Sequence, residues 1–467
     1  MKQSRRDFFR RTSCAALGMA AINAGFDKLG LISAFAQQPA VTNYKALVCI
    51  FLSGGNDPNN MIVPLDTTGY TAYSSVRGTA GLAIPQANLL PITPPSIGTP
   101  FGLHPSLVGL QNLWNQQKLA VVCNVGPLVQ PLTRTQYRSG APRPPQLFSH
   151  SDQVALWESP RADLKPSLGW GGRVADFAKV FNTGSVFPMV TSISGQSLFA
   201  IGQLTRPLAV GTGALNQVLV LNGFNTTPES LARRSSCDYL RTLDLTLSNI
   251  SAASSTTQQA LDISASLAVD PTLTTVFPNT GLGNQLKQVA KIMKLNLTGS
   301  TINLNRQIFF TSIGGFDTHQ NQIAGQAGLF TQLNGAMTAF YNATVELGIQ
   351  DRVTTFTLSD FGRTFRPSGT GGSVGSDHAW ANHHFVMGAS VLGGNFYGVP
   401  TSNGTVYPTL QLSGPDDTDS AGRWIPTGAV DQYAATLATW LGVQSSDIPT
   451  IFPLIGRFAT PNLGFLM

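Results

Sequence analysis

The histidines of this chain are few, and most of them lie near aspartates. Only 6 of the 467 residues are histidine, and four of these, His319, His378, His383 and His384, fall in one part of the chain beside acidic residues. Imidazole nitrogens and carboxylate oxygens are both ligands for Zn, Mn and Fe ions, and a neutral imidazole adds no negative charge to a site. The pattern therefore favours a divalent metal site, against the alternative that these histidines cap helices or tie loops.

Two Asp–His pairs can each present both side chains to one site. Asp317 and His319 are two residues apart, so an extended backbone places both on one face. Asp377 and His378 are neighbours and need a turn to do the same. His383 and the histidine after it enter a predicted strand, in which neighbouring side chains alternate between faces. Only one of that pair is therefore expected to face the site, and we favour His383.

Ser149 is the candidate nucleophile. It precedes a predicted short helix, at whose start free backbone N–H groups and the helix dipole stabilise an anion. A serine hydroxyl is a weak nucleophile, and metal coordination can activate it. The alternative is an ordinary helix cap with Asp152 in the matching position. Arg363 is likewise open to two interpretations, as a bidentate holder of a tetrahedral oxyanion or as a member of a structural ion pair.

Familiar catalytic motifs elsewhere in the chain do not fit their structural context. Residues 371–375, Gly-Gly-Ser-Val-Gly, match the serine nucleophile elbow, but that motif needs a strand before it and a helix after it. Here it lies in a Gly/Ser-rich loop that follows Pro367. No P-loop or dinucleotide-binding fingerprint occurs between a predicted strand and a helix.

Predicted strands end just before several of the acidic residues. These strands are residues 45–52 before Asp57, 307–313 before Asp317 and 351–358 before Asp360. Strands that alternate with helices predict an α/β fold with a mostly parallel sheet and helices on both faces. Ligands bind beyond the carboxyl ends of such strands, so we expect these aspartates to converge at one edge of the sheet.

The remaining segments predict one elaborated domain over residues 37–467. Residues 186–224 alternate in polarity like strands and hairpins, whereas residues 228–297 are rich in Ser, Gln and Leu and read as a helical insertion. A further strand is predicted over residues 385–392.

The N-terminal residues are typical of an export signal. Residues 4–9, Ser-Arg-Arg-Asp-Phe-Phe, resemble a twin-arginine motif, a weakly apolar stretch follows, and Ala34-Phe35-Ala36 fits a signal peptidase site. We therefore expect a signal peptide over residues 1–36 and a periplasmic or secreted protein that passes through the twin-arginine export machinery. The alternative is a basic amphipathic helix that stays attached.

Composition excludes several other classes of protein. Hydrophobic residues make up 42% of the chain and charged residues 11%, which argues against a disordered chain or a coiled coil. Most of the formal net charge of +6 comes from residues 1–36, so the charge gives little reason to expect nucleic acid as a partner. No later apolar run reaches about 18 residues, and we expect no membrane span.

Taken together, the motifs resemble a family of twin-arginine-exported bacterial proteins of unknown function, which is similar to the alkaline phosphatase and sulfatase superfamily. The matching segments are SRRDFF (4–9), FLSGGNDPNNMIVP (51–64), LFSHSDQ (147–153), GGFDTH (314–319), SDFGRT (359–364), DHAWANHHFVMG (377–388) and ATWLGV (438–443). The resemblance implies a parallel α/β sheet and a two-metal site with Ser149 as nucleophile. The metal ligands that it implies are Asp57, Asp317, His319, Asp360, Asp377, His378 and His383.

The function predicted on this basis is that of an exported, metal-dependent hydrolase of phosphate or sulfate esters. Its substrate is expected to be a small-molecule or polymer ester, and its cofactor a divalent ion of Zn, Mn or Fe. The sulfatase signature Cys/Ser-x-Pro-x-Arg is absent from the sequence, which argues against a formylglycine sulfatase. The alternative is a non-catalytic binding or assembly protein that keeps the fold, because a fold alone does not establish turnover.

Overall fold

Runs of apolar and β-branched residues form the strands at the centre of the molecule. The structure, a computed structural model, describes residues 43–218, 227–299 and 302–467. The predicted signal peptide over residues 1–36 lies outside these ranges. Within them, no helix has the length and apolar character needed to cross a membrane.

The strands form one large sheet and one small one. In chain order they are β1 (Lys45–Leu52), β2 (Ile62–Pro64), β3 (Leu90–Ile92), β4 (Phe101–Leu103), β5 (Leu119–Gly126), β6 (Val190–Ser192), β7 (Leu208–Ala209), β8 (Arg306–Ile313), β9 (Val353–Ser359), β10 (Asn382–Met387), β11 (Phe396–Tyr397) and β12 (Gly428–Ala429). The large sheet has the order β11-β5-β10-β9-β1-β8-β6-β7, and β12 also pairs with β5. The small sheet is antiparallel, in the order β2-β4-β3.

Direction within the large sheet confirms the predicted α/β fold with a mostly parallel sheet. Strand β1 runs parallel to both β8 and β9, and the outer pairs of β6 and β5 are parallel as well. Strand β10 is the exception among the described strands, because it is antiparallel to both β9 and β5. The parallel strands β1, β8 and β9 therefore end at the same edge, as the sequence predicted.

Helices cover both faces of the large sheet. They are α1 (Pro58–Met61), α2 (Thr67–Arg77), α3 (Val108–Asn115), α4 (Arg134–Arg138), α5 (His150–Glu158), α6 (Trp170–Ala178), α7 (Pro228–Leu240), α8 (Ser248–Ser266), α9 (Gly281–Leu297), α10 (Gln322–Glu346), α11 (Val430–Leu441) and α12 (Ile448–Ile451).

The side chains of β1 show how the two helical layers are held. Successive residues of a strand point to opposite faces, and Val48 packs in one hydrophobic core with side chains of α9 and α10. Its neighbour Cys49 packs in a second core with side chains of α6 and α11. Apolar burial on both faces explains why β1 is hydrophobic along its whole length rather than alternating.

Two of three predicted segments differ from the sequence-based expectation. The described part of residues 186–224, residues 186–218, holds the short parallel strands β6 and β7 rather than hairpins, because polar residues and glycines interrupt the apolar runs. The helical content predicted for residues 228–297 is observed in α7, α8 and α9, and α9 buries its apolar face in the core beside α10. The strand predicted over residues 385–392 begins earlier and ends at Met387.

Candidate metal centre

Four polar side chains meet beyond the carboxyl ends of β8 and β9. Asp317 and His319 lie on the loop after β8, His378 lies on the loop that leads to β10, and His150 is the first residue of α5. We call these four residues the Asp317 cluster. Two of them, His150 and Asp317, line a cavity of about 450 Å³ that opens to solvent.

Gly54, on the loop after β1, allows the strand ends to approach one another. Its φ is +113°, a conformation that favours glycine, and a Cβ at this position would lie 2.4 Å from the backbone nitrogen of Asp317. The backbone N–H of Gly54 also donates to Oδ1 of Asp360 at 2.9 Å. Because residue 54 has no side chain, the β1 loop can lie directly against the backbone of the Asp317 cluster.

The cluster converges on one carboxylate oxygen, Oδ1 of Asp317. The Nε2 atom of His319 lies 3.0 Å from it, that of His378 lies 3.4 Å from it, and that of His150 lies 3.5 Å from it. The Nε2 atoms of His319 and His378 are 2.9 Å apart. Ligand atoms of His150, Asp317 and His378 all lie within 4.8 Å of one another, a spacing at which one cation can contact each of them.

The other ring nitrogen of His378 fixes which atom faces the cluster. Its Nδ1 lies 2.7 Å from the carbonyl oxygen of Phe148, and a carbonyl can only accept a hydrogen bond. Nδ1 therefore carries the proton, and the lone pair of the neutral ring is on Nε2, which points at Asp317.

Carboxylates hold the other two histidines in the same way. The Nδ1 atom of His150 lies 2.7 Å from Oδ2 of Asp360, and that of His319 lies 3.3 Å from Oδ1 of Asp377. Metal-binding histidines usually donate their second ring N–H to a carboxylate or a carbonyl, which orients the ring and raises its basicity. The structure thus brings Asp360 and Asp377 to the site, but in contact with histidines rather than with the atoms at the centre of the cluster.

One atom of the cluster has no hydrogen-bond partner among the described residues. The Nε2 atom of His150 is buried and has no hydrogen-bond donor beside it. A buried acceptor without a donor destabilises a folded protein by about 1–3 kcal/mol. A cation beside Asp317 would satisfy this lone pair. Imidazole nitrogens and a carboxylate oxygen are ligands that suit Zn²⁺ and other first-row transition metals, so the group of His150, Asp317 and His378 fits such an ion.

Charges around Asp317 keep its carboxylate ionised. Partial burial by itself raises the pKa of Asp317, but Arg363 and the three histidines outweigh it and lower that pKa below its usual value. Burial, together with the neighbouring charges, lowers the pKa of His378, although its bond to the Phe148 carbonyl opposes the shift. An ionised carboxylate is the form in which Asp317 can bind a metal ion.

Arg363 is completely buried beside Asp317. Its Nη1 atom lies 3.0 Å from Oδ1 of Asp317, but none of its guanidinium nitrogens meets hydrogen-bond geometry with any described residue. Of the two interpretations of Arg363, the observed contact corresponds to the ion pair, and it places a positive charge directly next to the cluster.

Asp57 lies outside the Asp317 cluster, in a salt bridge of its own. Both of its carboxylate oxygens contact Arg77, at 2.5 and 3.1 Å, and the pair is fully buried. Gln322 donates to Oδ2 at 2.6 Å, and Asn59 donates to Oδ1. The structure therefore gives this carboxylate a full set of protein donors, unlike the ligand role that the family resemblance implied.

His383 and His384 belong to the core rather than to the cluster. Nδ1 of His383 accepts the backbone N–H of Asn124 at 3.0 Å, and His384 lies against Trp157 and Tyr433. Complete burial lowers the pKa of each ring to about 3. The favoured ligand His383 is thus not brought to the metal centre.

Ser149 is next to the cluster, and its hydroxyl donates to Oδ2 of Asp152 at 2.6 Å. It is the residue before α5, but its side chain does not cap the backbone of that helix. Sequence reasoning singled out Ser149 and missed its neighbour His150 as a ligand candidate. The available signal was that His150 is one of few histidines in the chain and lies beside Ser149 at the start of a predicted helix.

Solved structures align with most of the chain at low similarity. Ps i-CgsB in complex with k-i-k-neocarrahexaose aligns at 9% identity over 90% of this chain and 78% of that chain, with a TM-score of 0.35. The PsFucS1 sulfatase from Pseudoalteromonas sp. aligns at 10% identity over 83% and 68% of the two chains, with a TM-score of 0.27. The alkaline phosphatase from the Antarctic bacterium TAB5 aligns at 10% identity over 74% and 92%, with a TM-score of 0.26. Likeness of this degree does not identify an activity.

No curated protein matches this sequence. A family described as "Protein of unknown function (DUF1501)" matches residues 44–409, a range that includes all four residues of the Asp317 cluster. The resemblance to a family of unknown function, which rested on short motifs spread along the chain, is confirmed by this match. The chain belongs to the DUF1501 family.

Proposed function

We propose that this protein is an exported, metal-dependent hydrolase of phosphate or sulfate esters. The observation that carries the proposal is the convergence of three Nε2 atoms on Oδ1 of Asp317. Each of these rings has an outer oxygen beside its Nδ1 atom, which leaves Nε2 as the ring atom that faces Asp317. Such an arrangement has little value for stability alone, since it leaves a buried nitrogen of His150 unpaired.

The side chains of His150, Asp317, His319 and His378 would hold the ion, which we propose to be Zn, Mn or Fe. When bound, an ion of this kind supplies a Lewis acid and favours the ionised form of an attacking hydroxyl or water. Asp317 contributes its ionised oxygen, and Arg363 beside it adds a positive charge that steadies a negatively charged ester. The cavity of about 450 Å³ gives the ester access from solvent.

Ser149 is the proposed nucleophile, and Asp152 the proposed acceptor of its proton. Because the hydroxyl already donates to Oδ2 of Asp152, the oxygen lone pairs of Ser149 are free to attack. As a bond forms between Oγ and the phosphorus or sulfur, the hydroxyl proton passes to Asp152, the bond to the leaving oxygen breaks, and the leaving alkoxide or phenolate takes a proton from solvent. Water then attacks the same phosphorus or sulfur and gives up a proton to solvent, the bond to Oγ breaks, and Asp152 returns its proton to Oγ as the phosphate or sulfate product is released.

Export rests on the N-terminal motif of residues 1–36. We propose that the twin-arginine machinery carries the folded protein to the periplasm or beyond, and that its substrate is a small-molecule or polymer ester found there.

The test combines metal analysis with an ester panel. Purified protein is loaded with Zn²⁺, Mn²⁺ or Fe²⁺, assayed by elemental analysis, and given aryl phosphate monoesters, diesters and aryl sulfates with and without chelator. We expect near-stoichiometric metal and turnover that the chelator abolishes. Asp317→Asn should lose both, whereas Asp351→Asn, a matched change at an exposed carboxylate before β9, should keep both.

Two other outcomes would count against the proposal. Wild-type protein that binds none of these ions under any loading condition would remove the metal centre. Protein that binds the ion through Asp317 but turns over no ester in the panel would favour the non-catalytic binding protein.

A further inference from the structure

Phe148 has an unusual backbone conformation next to the Asp317 cluster. Its φ is +72°, in the left-handed region that bulky L-residues rarely adopt. Strain of this kind persists only where the surroundings impose it, and it is most often found at functional sites. Gln146, two residues earlier on the same loop, also has a positive φ, of +50°. The loop before α5 is therefore held in a specific shape.

In that conformation the main-chain carbonyl and the side-chain ring of Phe148 each contact a different residue. Its carbonyl oxygen accepts the Nδ1–H of His378 at 2.7 Å. Its ring lies under the guanidinium of Arg423, whose central carbon is 5.1 Å from the ring centroid. A cation at this distance is attracted to the face of an aromatic ring.

Arg423 also contacts His378, at its main chain rather than at its ring. Its Nε donates to the main-chain oxygen of His378 at 2.9 Å, and its Nη1 pairs with Oδ2 of Asp419 at 2.5 Å. His378 is therefore held at its ring by Phe148 and at its backbone by Arg423, and the two holding residues contact each other.

We infer that Phe148 and Arg423 are positioning residues that aim Nε2 of His378 at the metal ion. The inference rests on the proposed function, since it assumes that the Asp317 cluster binds a metal. Neither residue contacts Asp317 in the structure; both act through His378. Groups that orient a metal-binding histidine typically change metal affinity 10- to 100-fold when they are replaced.

The experiment measures Zn²⁺ affinity by competition with a chromophoric chelator, alongside thermal melting of the metal-free protein. Phe148→Gly removes the ring beneath Arg423 and gives residue 148 the backbone freedom of glycine, so that its carbonyl is no longer held against Nδ1 of His378. Arg423→Lys keeps the charge and loses the Nε–H. The matched controls are Gln146→Gly, on the same loop, and Arg143→Lys, an arginine that stacks on Tyr137 with a guanidinium-to-centroid distance of 4.8 Å.

We expect about 10-fold weaker Zn²⁺ binding in each test variant and unchanged binding in both controls. The double variant should be weakened by less than the product of the two single effects, because both changes act on His378. Wild-type affinity in Phe148→Gly and Arg423→Lys would overturn the inference while leaving the metal centre intact. Wild-type protein that binds no Zn²⁺ would overturn the proposed function and this inference together. If Phe148→Gly fails to fold, Arg423→Lys and its control decide the matter alone.

Discussion

Replacing Asp360 by asparagine distinguishes a metal ligand from a residue that only orients one. Oδ2 of Asp360 accepts from Nδ1 of His150, and Oδ1 accepts the N–H of Gly54. An asparagine amide has one oxygen and one NH₂ group, so it can accept only one of these two donors. If the oxygen faces Gly54, the NH₂ group faces His150 and favours the tautomer whose proton is on Nε2. That proton would point into the metal centre and repel a cation.

The expected magnitude follows from this indirect role. Loss of an outer partner of a metal-binding histidine weakens metal affinity about 10- to 100-fold, which corresponds to about 1.4–2.8 kcal/mol at 1.4 kcal/mol per factor of ten. A true ligand, as the family resemblance implied for Asp360, would behave like Asp317 and lose binding far more completely.

The assay is a chelator competition for Zn²⁺ on wild type, Asp360→Asn, Asp317→Asn and the control Asp351→Asn. We expect Asp360→Asn to fall between the control and Asp317→Asn. Binding in Asp360→Asn that is as weak as in Asp317→Asn would refute the orienting role, and binding equal to that of wild type would refute any role of Asp360 at the metal centre.

Three further predictions concern residues near the site. Asp57→Asn leaves the buried Arg77 without its counter-ion and should lower the free energy of unfolding, measured by urea titration, by about 3 kcal/mol. The metal content should stay unchanged, and a variant that loses the metal would indicate that Asp57 is a ligand after all. Ser149→Ala should abolish ester turnover while elemental analysis still finds the ion, and retained turnover would exclude Ser149 as nucleophile. Burial lowers the pKa of His384 to about 3. Below about pH 6.5 this imidazole therefore binds a proton in the unfolded chain but stays neutral in the folded chain. The stability that the neutral His384 contributes is therefore lost as pH falls from about 6.5 towards 3. Melting temperatures measured over that pH range should fall less in His384→Phe than in wild type, and an equal fall would contradict this prediction.

The sequence predicted the sheet edge well because strand direction follows from strand order. Each apolar run, such as β8, is buried on both faces and ends at a loop that carries polar residues. Parallel pairing then brings Asp317, Asp360 and Arg363 to one edge without any knowledge of their contacts. The reversed direction of β10 could not be predicted, because its apolar residues would serve equally well in either orientation.

The ligand set was harder to predict than the edge because it depends on long-range partners. Asp57 follows its strand as expected, but Arg77 at the end of α2 reaches back to it, and nothing in the local spacing indicates that pairing. His150 rather than Ser149 contacts Asp317, and the loop that leads to these two residues has a positive φ at Phe148. A positive φ at a phenylalanine cannot be read from residue types.

The loop after β1 packs so closely against the loop after β8 that residue 54 has no room for any side chain. A methyl group there would overlap the main chain of Asp317, so even alanine would push apart the two loops on which the whole cluster depends. Randomising this codon and selecting for retention of the proposed metal site should therefore return glycine alone.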